Sequence, residues 1–210
     1  METLRFSIPA MSPITHFMVS WPVAEAVGRT RRERLCITLA GMLPDLDGAG
    51  LLVDLGNRVL GRPESFWSET LHHALFHGLL GAALAVVAAM LLGCRRLPAL
   101  LAVGVVFHLH LLCDGLGSRG PTPDEIWSIH YWAPFSNSGT FAWPGQWQLN
   151  AWPNVALTCI LLGWIAMRAI RAGVSPFSLL STRLDRAVVH ALRTRWTQVR
   201  RCLGIRGRWR

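Results

Sequence analysis

LPALLAVGVVFHLHLLCD, residues 97–114, is an apolar run that ends among two histidines, a cysteine and an aspartate. Leu97–Cys113 is slightly short of the roughly 20 residues a membrane-spanning helix needs and carries no formal charge. Ionisable groups are costly in hydrocarbon, so the few that occur there are usually functional. His110 and Asp114 are spaced i, i+4 and share one helix face. Imidazole and carboxylate are also the usual ligands of a hydrolytic metal. The stretch therefore sets two expectations: a helix in the membrane, and a metal site at one end of it. His108 points elsewhere and is read as hydrogen-bonded to a neighbouring helix rather than as a ligand.

The rest of the chain fits a membrane protein. Of its 210 residues, 51% are hydrophobic and 16% charged, against about 25% charged in soluble proteins, and the mean hydropathy is positive. Two further segments approach spanning length: Ala74–Gly93, with His77 inside it, and the uncharged Ala151–Met167. A fourth, Leu35–Val53, is interrupted by Pro44, Asp45 and Asp47, and a weaker fifth, Ile14–Val27, contains Pro22 and Glu25. The expected fold class is all-α: a polytopic membrane bundle of four to five apolar helices with a C-terminal basic amphipathic helix. No cleavable signal peptide is expected, because Met1–Ser12 is followed by no short apolar core with a small-residue cleavage site.

All 21 basic residues are arginine. Residues 168–210 carry a balance of +10, whereas residues 1–167 carry −1. Arg29, Arg31, Arg32 and Arg34 precede the fourth segment, Arg95 and Arg96 lie between the second and third spans, and Arg168 and Arg171 follow the last. The positive-inside rule puts these clusters in the cytoplasm. Tracing the chain on that basis brings His16, Asp47, His72, His77 and Asp114 toward the opposite, outer face. Beyond Pro176, Leu180, Leu184, Val188, Leu192 and Trp196 repeat at i+4 and predict a helix with one apolar stripe. Arginines cover its other side, so it is expected to lie on anionic lipid headgroups; membrane lipid is the expected partner, and no nucleic acid. The expected division is a membrane-embedded domain over 1–172 and a basic cytoplasmic tail over 173–210.

Several other features carry chemistry or its bland counterpart. His72, His73 and His77 cluster at the start of an apolar helix; His73 and His77 are i, i+4, whereas His72 and His77 pair only if His72 sits in the cap. Asp45 and Asp47 would diverge in a helix, but Pro44 opposes a continuous one and Gly48 permits a turn. A locally unwound backbone can then aim both carboxylates into one cavity, a conformation tolerated at membrane depth where it lines a polar space. The five cysteines form no CxxC pair and read as small buried thiols; Cys113 alone neighbours the candidate site. The loop over 115–150 is rich in tryptophan and is read as an interfacial loop packed over the bundle, ahead of a lid over an amphiphilic substrate. His130 and His190 are given no role.

Thr15-His16, Pro44-Asp45-Leu46-Asp47, the pair His72 and His77, the pair His110 and Asp114, and the later Trp132-Ala133-Pro134-Phe135 occur in that order. The ordered set resembles the bacterial inner-membrane metal-dependent hydrolases of the YdjM-like, LexA-regulated group, over about residues 12–170 and without the basic tail. The chain departs from that pattern at His73 and Phe76, which leaves His72 and His73 as alternatives. The spacing is also similar, more loosely, to that of zinc-dependent phospholipase C. The resemblance implies a hydrolase of the bacterial inner membrane. The expected site holds one or two divalent ions, zinc first, on Asp45, His72, His77, His110 and Asp114, with His16 completing the set and Asp47 as general base. The expected substrate is a phosphoester or a lipid-derived molecule. The rival readings are a non-catalytic membrane protein with a structural metal and a regulatory tail, and a proton or metal transporter.

Overall fold

The structure, a computed structural model, describes residues 12–62, 76–122, 124–136 and 138–204. It is mostly helical. Helix α1 spans Pro13–Val27, α2 Arg31–Ala40, α3 Gly50–Val59, α4 Leu79–Leu91, α5 Leu97–Gly117, α6 Trp152–Ala172 and α7 Thr182–Cys202. Short 3₁₀ turns occupy Pro44–Ala49 and Pro176–Leu179. One departure from the all-α expectation is an antiparallel hairpin of β1, Ser128–His130, and β2, Thr140–Ala142. Of the four to five expected spans, α5 and α6 have both the length and the apolarity to cross a membrane, while apolar α4 has 13 residues. The Leu35–Val53 segment is divided between α2, a 3₁₀ turn and α3. Its break is wound tighter than helix rather than opened, because Pro44 starts a 3₁₀ turn there.

The chain divides into two compact units, Met1–Val155 and Ala156–Arg210. In the first, α5 is the axis against which α1, α2 and α4 pack. The contact is built from small side chains: Ala99, Ala102, Val103 and Val106 of α5 meet Ala82, Ala85 and Ala89 of α4, Ile37 and Ala40 of α2, and Ala24 of α1, all buried. Small residues let helix backbones approach closely. By contrast only 6% of the apolar window of α6 is buried, against 44% in α5.

Caps fix where the helices begin. Pro13 takes the first turn of α1, where its missing N–H costs nothing. Thr30 and Glu33 form a reciprocal capping box on α2: Glu33 N–H donates to Thr30 Oγ1 at 3.1 Å, and Glu33 Oε2 accepts from Thr30 N–H at 3.4 Å. The same Oε2 accepts from Arg29 N–H at 2.8 Å and from the Arg96 guanidinium at 2.8 Å. Glu33 thereby ties the start of α2 to the link between α4 and α5. That link turns at Gly93, whose φ of +88° suits glycine.

In the second unit, Ser181 caps α7 by accepting from Arg183 and Leu184 N–H. Asp185 Oδ1 accepts from both N–H and Oγ–H of Ser175, at 2.8 and 2.6 Å. Arg193 Nε donates to the Ile170 carbonyl at 2.9 Å, satisfying a helix-end acceptor and complementing the α6 dipole. Leu184, Val188, Leu192 and Trp196 of the expected stripe lie on α7, the last three half-buried and Leu184 exposed, whereas Leu180 precedes the helix at the end of the 3₁₀ turn and is exposed.

Burial pushes the Glu33 carboxyl up, but the hydrogen bonds from Arg29 N–H, the Arg96 guanidinium and Thr30 N–H together hold it below its ordinary value of 4.5. A depressed pKa contributes stability above the unfolded value, and that stability is lost as pH falls through the folded one. Glu33→Gln is expected to lower the melting temperature in detergent at pH 7. The gap to wild type should close as the pH is brought below about 4.5; a gap independent of pH would show that Glu33 acts only by packing.

Candidate metal centre

The site assembles where three breaks in regular structure meet the end of α5. His16 lies on α1, one turn before Ser20, whose hydroxyl donates to the His16 carbonyl at 2.8 Å. His110 and Asp114 lie on α5, as their spacing requires. Asp45 and Asp47 are on the 3₁₀ turn, and His77 sits in the bend before α4. That bend is not helical, because Gly78 is extended and approaches the Tyr131 carbonyl too closely for a Cβ. The i, i+4 helical pairing considered for His73 and His77 therefore does not extend to His77 itself. His72 and His73 lie outside the described residues.

Asp114 is the hub and is fully buried. Its Oδ1 lies 3.2 Å from His16 Nε2 and accepts from the Ser118 hydroxyl at 3.1 Å. Its Oδ2 lies 2.9 Å from His110 Nε2 and 3.6 Å from His77 Nε2. The His16 and His110 rings stack with centroids 3.7 Å apart. Asp45 stands at the edge, its Oδ1 3.9 Å from His110 Nε2 and its side chain 14% exposed.

Two of the imidazoles are oriented from behind. Ending α2 at Gly41 leaves its carbonyl outside the helical ladder, and His110 Nδ1–H donates to it at 2.9 Å. A Cβ at Gly41 would collide with the Ser20 side chain, so only glycine lets the carbonyl stand there. His77 Nδ1–H donates to Asp47 Oδ2 at 3.0 Å, and the same oxygen accepts from Phe76 N–H at 3.0 Å. A carbonyl or carboxylate behind an imidazole fixes its tautomer and turns the other nitrogen forward as a ligand.

These donor atoms fit a metal ion. With Nδ1 of His110 protonated toward Gly41, the neutral ring presents a lone pair on Nε2 to an acceptor oxygen 2.9 Å away. Neither that Nε2, nor either nitrogen of His16, nor Asp114 Oδ2 has a hydrogen bond, although all are buried. Buried acceptors facing one another are unfavourable, and a cation between them removes the conflict. Ligand atoms on a tetrahedral ion with bonds of ~2.0 Å stand about 3.3 Å apart, close to the 3.2 and 2.9 Å separations of Asp114 from His16 and His110. Among the described residues, the group whose ligand atoms all lie within 4.8 Å of one another is His16, His110 and Asp114.

The remaining candidates are engaged elsewhere. His108 Nδ1–H donates to its own helix at the Gly104 carbonyl, 2.8 Å away, and Nε2 meets the Tyr131 hydroxyl at 3.0 Å. It is hydrogen-bonded, as expected, but to its own helix and the loop rather than to a neighbouring helix. Cys113 is a half-buried free thiol outside the group, and His130 and His190 are exposed. The tryptophan-rich loop covers the site: Trp127 stacks edge-on to His77 with centroids 5.9 Å apart. Buried Gln146 clamps the Trp127 backbone through its N–H and C=O, at 2.8 and 2.7 Å. The Gly41 and Gln146 contributions were invisible in the sequence, since neither residue type signals its partner.

Metal content by mass spectrometry on detergent-purified protein checks the geometry. Asp114→Ala and His16→Ala are expected to abolish stoichiometric metal. Asp47→Asn should weaken binding about 10- to 100-fold through His77, and His108→Ala should leave it unchanged. Equal metal in Asp114→Ala and wild type would remove Asp114 from the site.

The family model described as YdjM inner membrane protein matches residues 11–191, which extends past the expected limit near residue 170 and into α7. No curated protein and no solved structure matches the chain. With α5 and α6 apolar and long enough to cross a bilayer, the chain belongs to the YdjM inner membrane protein family and is a protein of the inner membrane.

Proposed function

We propose that this protein is a membrane-bound, metal-dependent hydrolase acting on a phosphoester or lipid-derived substrate, with zinc as its metal. The observation that carries the reading is the buried trio of His16, His110 and Asp114, whose facing acceptor atoms lack hydrogen bonds. Imidazole and carboxylate donors without a thiolate are a ligand set of catalytic rather than structural zinc. A divalent ion supplies Lewis acidity there and makes water acidic enough to lose a proton near neutrality.

The chain's own residues divide the remaining work. His16, His110 and Asp114 hold the ion, with Gly41 and Ser118 fixing His110 and Asp114. His77, oriented by Asp47, turns Nε2 toward Asp114 as a further ligand. Asp47 was the expected general base, but its Oδ2 already accepts from two donors. In this reading it is a positioning residue, and the base is Asp45, expected as a ligand but standing at the edge of the trio, whose Oδ2 has no hydrogen bond and whose side chain is more exposed than that of Asp47. Trp127 and the loop behind it exclude water from the opposite side. Helices α1, α2 and α4, which pack on the spanning helix α5, complete the membrane bundle. The arginines of α7 meet anionic headgroups.

Full burial of the trio favours, as a second reading, a structural metal that locks α1 to α5. One experiment separates the two. Metal-loaded protein in mixed micelles is offered a chromogenic phosphodiester and a panel of phospholipids. Asp45→Ala is expected to retain metal while hydrolysis falls about 10²-fold or more. Metal-loaded wild type without turnover on any of them would support the structural reading.

A further inference from the structure

The arginine-bearing end of the first unit holds a feature that the metal centre does not use. A cleft of about 450 Å³ opens between the start of α2 and the end of α4, lined by Arg32, Leu35, Cys36, Leu91, Leu92 and Gly93. Arg32 is nine residues from Gly41, about 13 Å along a helix, so the cleft and the metal centre sit at opposite ends of α2. We infer that this cleft binds an anionic phospholipid of the cytoplasmic leaflet, its phosphate on Arg32 and its first methylenes along Leu35, Leu91 and Leu92.

Three observations converge on that ligand. The first is charge. Glu33, the carboxylate beside Arg32 in sequence, is committed to Arg96 and the α2 cap, and Arg32 forms no ion pair with any described carboxylate. A guanidinium with no counter-ion among the described residues, at the end of the bundle that the positive-inside rule puts in the cytoplasm, complements an anionic headgroup. The second is apolarity. Leu91 is 83% exposed and Leu92 60%, a surface suited to acyl chain. The third is placement. Gly93 adopts φ +88°, and a Cβ there would lie 2.6 Å from Arg32 Nη1, so the guanidinium lies against the glycine at the head of the cleft. At roughly 30 Å³ per water-sized group, the cleft takes about fifteen such groups, enough for a phosphate, a glycerol and the first methylenes. Free phosphate would leave the leucine walls unused.

Native mass spectrometry of the full chain, delipidated in detergent and titrated with phosphatidylglycerol or phosphatidylcholine, tests the assignment. Wild type is expected to bind one phosphatidylglycerol in preference to phosphatidylcholine. Arg32→Gln should lose that preference by about fivefold or more, the weight of one basic residue at an anionic surface. Arg95→Gln, beside the cleft but not lining it, should keep it, and Leu91→Asn should weaken both lipids together. Unchanged metal content and melting temperature in Arg32→Gln show that it is folded. Equal binding of the two lipids by wild type, equal preference in folded Arg32→Gln, or displacement of phosphatidylglycerol by equimolar inorganic phosphate would each overturn the proposal.

Discussion

One carboxylate organises this protein. Asp114 is fully buried on the helix about which the first unit packs. A charge taken out of water needs compensation from paired groups or an ion. Helix α5 supplies only His110 from its own neighbouring turn. The other compensating groups come from outside that helix: His16 from α1, His77 from the bend before α4, and Ser118 from the cap that follows α5. Two irregularities in the helical order stand at points where a histidine facing Asp114 acquires a partner. Pro44 and Gly41 interrupt α2 and release the carbonyl that orients His110. Gly78 interrupts the start of α4 and leaves His77 free of helical constraint.

Much of this was legible in the sequence. Ionisable residues in apolar runs were the signal, and His110 and Asp114 needed only helical spacing to be joined. The Pro44 interruption and the amphipathic tail followed from backbone chemistry and from periodicity. What was not legible depends on contacts between distant segments. Nothing local in Gly41 shows that its carbonyl will meet His110, and Glu33 reads as one more charge beside arginines until Arg96 reaches it from the α4–α5 link. Residue type alone also does not distinguish Asp45 from Asp47. Their difference lies in what already occupies their oxygens. The hairpin escaped because 128–142 contains no regular alternation between apolar and polar side chains strong enough to mark two three-residue strands.

Helix α2 joins two kinds of chemistry. Its first turn is saturated with hydrogen bonds around Glu33, while its last turn is deliberately incomplete, ending in a carbonyl with no helical partner. The capped end holds a helix of only 10 residues in place, too short to be stable by propensity alone. The open end does the orienting. A rigid anchor at one end and an acceptor left over by the helix at the other is how so short an element can orient a histidine on a neighbouring helix.

The order of the site residues along the chain bears on how the protein is made. Synthesis delivers His16, Asp45 and Asp47 to the membrane before the segment containing Asp114 has left the ribosome. Until α5 is made, α1 and the 3₁₀ turn carry these polar side chains without the carboxylate and the imidazole they face. The site therefore closes only once α5 exists, because its central acid is translated after the histidines gathered there.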